Sequence, residues 1–190
     1  MESVRVSILV AALCLVAGTP VPENENRLIS FAVTTETPTT SLEGLHREHE
    51  NISSVCQSMI PTHNGTQAQN SVAPYKVNVS STAVEPRGIV TVQFSGLTDE
   101  QFRGLYVQAR TEQDEPVGRF LPSADEHVRL SSCGRGQDNA ISYISYQPIS
   151  QFAFQWLAPD EPTAVTFRTT IVESFSKFWV GVESDPVVVA

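Results

Sequence analysis

The stretch FRGLYVQAR (residues 102–110) decides the fold. Leu105, Val107 and Ala109 alternate with Tyr106, Gln108 and Arg110, which is the period of a strand with one dry face and one wet face. Its entrance, Phe102-Arg103-Gly104, is more particular than an approach to a strand requires.

Outward from this segment the same alternation recurs. PYKVNVSS sets Tyr75, Val77 and Val79 against Lys76, Asn78 and Ser80, and GIVTVQFSG puts Val90, Val92 and Phe94 on one face. PVGRFLP, VRLSSC and AISYISY follow, and SQFAFQW aligns Phe152, Phe154 and Trp156. AVTFRTTIV and KFWVGVES close the series, with glycine, proline, aspartate and asparagine in the gaps. No long helical period competes. Seven to nine short strands with polar turns predict an all-β fold, an antiparallel sandwich of immunoglobulin-like type. Trp179 departs from the pattern, because Phe178, Val180 and Val182 take the opposite face; it is expected at a sheet edge or as an exposed contact.

The ends of the chain differ from this middle. Residues 1–18 combine Arg5, an apolar run of twelve (VSILVAALCLVA) and small residues at Ala17 and Gly18, the pattern of a cleaved secretory signal. Twelve apolar residues are too few to span a bilayer, which needs about 20. No other run could cross a membrane, so a secreted, extracellular protein is expected. Residues 19–54 form a Thr- and Pro-rich acidic segment, with six acidic residues against two basic ones from Glu23 to Glu50, and are expected to be a flexible arm. The folded domain is expected over residues 55–190.

Cys14 leaves with the signal, and Cys56 and Cys133 remain. In an oxidising compartment two cysteines most simply form one disulfide; two free thiols or a metal pair are the alternatives. Three sequons mark N-glycosylation candidates at Asn51, Asn64 and Asn78, the last on the polar face of a strand.

The formal net charge is -9 over 190 residues, so a phosphate backbone meets mostly repulsion and nucleic acid is excluded as a partner. The sequence has no G-x-S-x-G elbow, no H-E-x-x-H and no Walker loop. The acidic runs around Asp99 and from Glu112 to Glu115 fit solvated turns, and CGRGQDN fits a polar loop. His46 and His49 could meet one metal ion from a helical turn, but two ligands on an arm make a poor site. His63 fits a local hydrogen-bonding role. No catalytic, cofactor-binding or metal residues are assigned, and no enzyme is expected.

Taken together, the ordered segments resemble a reeler domain. The resemblance is carried by Cys56-x-x-Met59-x-Pro61-x-His63, Pro74-Tyr75, Phe102-Arg103-Gly104 with Gln108-Ala109-Arg110, and Gly118-x-Phe120. It continues through Cys133, Trp156-x-Ala158-Pro159, Val165-x-Phe167, and Phe178-Trp179-Val180 with Ser184. It implies an architectural role for the F-R-G and Q-A-R pieces, with Gly104 allowing a bulge or close approach and Arg110 pairing with a carboxylate or carbonyls. The family's Thr-His pair before the Trp strand is missing; ISYISYQPIS (residues 141–150) stands there. Reeler domains occur in matrix proteins, in membrane ferric-chelate reductases and in small secreted arthropod defence proteins, and the chain is most similar to the third group. That resemblance implies non-catalytic recognition of microbial surfaces, of bacterial or fungal glycan or lipopolysaccharide, and contact with haemocytes. The alternative is an extracellular-matrix adhesion module for protein partners or glycosaminoglycan. From Val55 onward fourteen acidic residues face nine basic ones, so an anionic ligand needs clustered arginines (Arg103, Arg110, Arg119, Arg129, Arg135), an apolar contact or a bridging cation.

Overall fold

The computed structural model describes residues 55–63 and 65–190. The expected signal and arm therefore lie outside the described residues, as do His46, His49, Asn51 and Asn64. Eleven strands make two sheets, and the described residues contain no helix. The strands are β1 (Tyr75–Val79), β2 (Ala83–Val84), β3 (Ile89–Gly96), β4 (Phe102–Thr111), β5 (Arg119–Phe120), β6 (Val128–Ser131), β7 (Ala140–Ile149), β8 (Gln151–Leu157), β9 (Thr163–Ser174), β10 (Lys177–Glu183) and β11 (Val187–Val189). The all-β sandwich is as the sequence predicts. Its count exceeds nine because β2 and β11, two and three residues long, form a small parallel pair that carries too few positions to show a period.

One sheet has four strands in the order β1-β3-β8-β5. The other has seven, ordered β2-β11-β9-β4-β7-β6, with β10 also on β9. Strand β9 is the hub: β4 runs antiparallel along one edge from Val165 to Val172, while β11 and β10 share the other edge in succession. The inner faces meet in one core. Val90, Val92, Phe94, Phe154 and Trp156 come from the four-stranded sheet, and Leu105, Val107, Ile141, Phe167 and Ile171 from the seven-stranded one. Trp156 stands edge-on to Phe167 at 5.2 Å between centroids, so the two layers interlock through aromatic rings rather than merely touching. Each such side chain contributes about 1.5–3 kcal/mol by burial.

Trp179 is a correction. It is 4% exposed and lies in this core, 5.4 Å from the Tyr75 ring, with its Nε1 donating to Ser71 Oγ at 3.2 Å. A bulge explains the misplacement: Trp179 faces Ile171 and Val182 faces Thr169, so three steps of β10 match two of β9. Gly181, at φ 78°, supplies the left-handed residue that the bulge needs. Trp179 and Val182 thereby both reach the core, and Phe178 is buried on the other side against His63.

Candidate functional site

The outer face of β4 is not wet. Tyr106, Gln108 and Arg110 are all buried, because residues 55–63 cross over them as a strap. Cys56 and Cys133 are bonded, which ties the strap down over a sequence separation of 77. The disulfide, Met59, Tyr106 and Ala140 make a second small apolar cluster outside the sandwich.

Polar side chains in such a place need partners, and the Q-A-R piece supplies them. Gln108 Nε2 donates to the Cys56 carbonyl at 3.1 Å and to Tyr106 Oη at 3.1 Å. Its Oε1 accepts from Arg110 Nε at 2.7 Å. Arg110 also donates to the Cys56 and Gln57 carbonyls at 2.6 and 3.2 Å, and its other nitrogen meets Asp114 at 2.9 Å. Arg110 thus pairs with both a carboxylate and carbonyl groups. On β9, Thr170 Oγ1 donates to the Met59 carbonyl at 2.5 Å. The arrangement is architectural.

Asp114 lies in an exposed turn, as expected, and is engaged by two arginines there. It accepts from Arg110 and from Arg168, the latter at 2.6 Å, and these guanidinium groups hold its carboxyl below the usual aspartate value. Arg168 continues to Glu183 at 2.9 Å. In the CGRGQDN loop the buried Asn139 accepts from Cys133 N at 2.7 Å and returns a bond to its carbonyl at 2.8 Å, so the loop is anchored at the disulfide.

Next to the strap the same outer face opens into a groove of about 440 Å³. Its floor is Gly104 on β4 and Val172 on β9. One wall is the strap from Met59 to His63, with the His63 ring stacked on Phe175 at 4.6 Å. The other wall is Ile144–Tyr146 of β7, pushed outward by an irregularity: Phe102 pairs with Ile149 while Gly104 pairs with Ile144. Arg103, between those two, donates to the Tyr146 carbonyl and holds the bulge in place. Ile144, Tyr146 and Phe175 are 51%, 90% and 57% exposed, an unusual concentration of apolar surface. Gly104 keeps the floor open, since a Cβ there would lie 3.2 Å from Val172 Cβ. His63 has the local hydrogen-bonding role expected, its amide donating to the Pro61 carbonyl at 2.9 Å and its ring meeting the Phe175 backbone, and it packs as well. Its ring Nδ1 has no partner, and burial lowers its pKa from 6.5, so the ring is neutral.

The five arginines considered for an anionic ligand do not form one patch. Arg110 is buried and fully engaged, Arg119 belongs to the four-stranded sheet, and Arg129 donates to the carbonyls of Glu126 and Val128. Of the five, Arg103 is the one at the groove. Asn78 is exposed on β1, and the hydroxyl of its sequon partner Ser80 accepts from Thr91 N at 2.9 Å. Among the described residues no group of His, Cys, Asp and Glu side chains could hold a metal ion. The groove was hidden in the sequence because it depends on a β7 irregularity and on the strap. The exposed aromatic in ISYISYQPIS was the available signal.

A family model described as the reeler domain matches residues 54–190. The chain belongs to the reeler-domain family. A protein of Locusta migratoria named "Putative defense protein" is 40% identical, covering 71% of this chain and 77% of that one. The "Putative ferric-chelate reductase 1 homolog" of Drosophila melanogaster is 33% identical over 70% of this chain, but only 22% of its own length is covered. Among solved structures, the human F-spondin reeler domain superposes with a TM-score of 0.55 at 16% identity, covering 66% of this chain and 95% of that one. The last likeness concerns the fold alone. The reeler motif residues of this chain, Cys56, Met59, Gln108, Arg110 and Cys133, meet at the strap, which gives them a common structural reason.

Proposed function

We propose that this reeler-domain chain is a secreted, non-catalytic protein of innate defence that recognises microbial surfaces, bacterial or fungal glycan or lipopolysaccharide among them. The observation that carries the reading is the groove, an apolar recess at which exposed Ile144, Tyr146 and Phe175 come together. The name of the locust relative supports a defence role. Residues 1–18 direct the chain to the outside of the cell, where such surfaces are met. Binding without turnover fits the way the acidic side chains near β4 are spent on arginines within the fold.

Because the chain is acidic and its arginines are dispersed, apolar contact drives the binding and salt has little effect on it. Sedimentation of labelled protein with intact bacteria and fungi, across a salt series and beside an unrelated acidic protein, is the test. The expected result is retention that changes less than about twofold from low to high salt, and a loss of roughly tenfold in a Tyr146→Ser, Phe175→Ser variant. Retention no greater than that of the control overturns the reading, and the matrix-module alternative takes its place.

A further inference from the structure

The groove has a charge pattern that its surroundings do not share. From Val55 onward acidic residues outnumber basic ones, fourteen to nine, yet no aspartate or glutamate lines the groove. Arg103 is its one permanently charged residue. The guanidinium is exposed and forms no ion pair among the described residues; one nitrogen is fixed on the Tyr146 carbonyl and the others are left to donate. His63 adds no second cation, being neutral in its stack with Phe175.

The rest of the exposed lining is mostly apolar, although the hydroxyls of Thr62, Ser142, Ser145, Thr170 and Ser174 also border it. Met59, Ile144 and Phe175 border the floor of Val172 and Gly104, where Gly104 withholds a side chain, and the strap and the β7 bulge raise a wall on either side. A recess walled on two sides admits one chain and not the plane of a bilayer. Its volume of about 440 Å³ suits a ligand of small-molecule size. An apolar trough with a single fixed cation at its rim complements a single-tailed anionic amphiphile.

We propose that the groove binds one free long-chain fatty acid, with the hydrocarbon tail along the Gly104–Val172 floor and the carboxylate on Arg103. The proposal rests on the reading of the groove as the binding face and names the chemistry that it selects. Tail burial sets the affinity and the guanidinium sets the choice of head group.

Isothermal titration of the full secreted chain with saturated fatty acids of eight to fourteen carbons tests this, with dodecyltrimethylammonium as the cationic counterpart of laurate. One equivalent of laurate is expected to bind, roughly tenfold tighter for every two carbons until the trough is full. The cation is expected to bind at least about tenfold more weakly. Arg103→Gln, whose side-chain amide can still donate to the Tyr146 carbonyl, should erase that preference while leaving the length dependence. Gly104→Val should remove binding of both, and Phe175→Ser, an exposed change that spares the fold, should weaken both. Absence of one-to-one laurate binding, equal affinity for the cation, or indifference to both Gly104→Val and Phe175→Ser overturns the proposal. If cells retain the protein and laurate does not bind, the fatty-acid site falls and the microbial reading stands. If laurate binds as described and cells do not retain the protein, the site stands and the microbial reading falls.

Discussion

On the outer face of the four-stranded sheet, Lys76, Asn78, Gln93 and Gln155 stand in water, each opposite a buried neighbour on its strand. On the outer face of the seven-stranded sheet, Tyr106, Gln108, Arg110 and Thr170 are buried under nine residues that belong to neither sheet. Similar polar side chains therefore do different jobs. A glutamine in water contributes its strand propensity and little else, whereas the buried Gln108 holds a backbone carbonyl, a phenol and a guanidinium in register. Coverage of one face and not the other also makes the groove, because the strap ends part-way along the sheet and leaves a wall.

Breaking the coverage outright should give the largest effect. A Cys56→Ala, Cys133→Ala variant frees the strap and should lose about 4 kcal/mol in the chain-entropy account of a loop of this length. Urea denaturation followed by tryptophan fluorescence measures it. A loss below about 1 kcal/mol would mean that the hydrogen bonds to the strap suffice without the link.

The comparison itself is sharpened by one substitution made on both faces. Gln108→Ala leaves the buried Arg110 Nε without its acceptor, while the Cys56 carbonyl keeps its bond from Arg110, and should cost about 3 kcal/mol. Gln93→Ala on the open sheet should stay within about 0.5 kcal/mol. Equal losses in parallel thermal melts would show that the strap is not what distinguishes the faces.

The smallest effect is electrostatic. Asp114 has a folded pKa below its ordinary value of 3.8, chiefly through the hydrogen bond from Arg110. Its contribution to stability is therefore complete above the ordinary value and is lost as pH falls through the folded one. Asp114→Asn should flatten the acid limb of the stability curve and leave its shape near neutrality unchanged. Because the carboxylate is half-exposed, the change should be modest and should shrink in added salt. An acid limb as steep as that of the parent chain would assign it to other carboxylates.

Alternation made the four-stranded sheet legible in the sequence, since Val90, Val92 and Phe94 face the core and the residues between them face water or the sheet margin. The inner side of β4 was legible for the same reason. Its outer side was not, because the period of a strand tells which residues share a face and not what lies against that face. Tyr106, Gln108 and Arg110 are as polar as a wet face would be, and only a distant segment, Cys56 and its neighbours, makes them interior. Trp179 was misplaced by a single extra residue, for a bulge reverses the parity of everything beyond it. The groove escaped for both reasons together: it needs the β7 irregularity opposite Arg103 and the strap beside His63, and neither leaves a local pattern.

The link between Cys56 and Cys133 has a mechanical meaning as well. Strands β1 to β6 lie within the loop that it closes, and β7 to β11 lie beyond it. Tension applied at Val55 passes through the sulfur pair to the chain just ahead of β7 and bypasses the first six strands. Those residues, roughly 270 Å of chain if drawn out straight, are hidden from the load while the bond is intact. A chain loaded at that end would therefore keep those strands out of the load path under oxidising conditions, and could yield up to about that length only once the bond was reduced and the load had unfolded them.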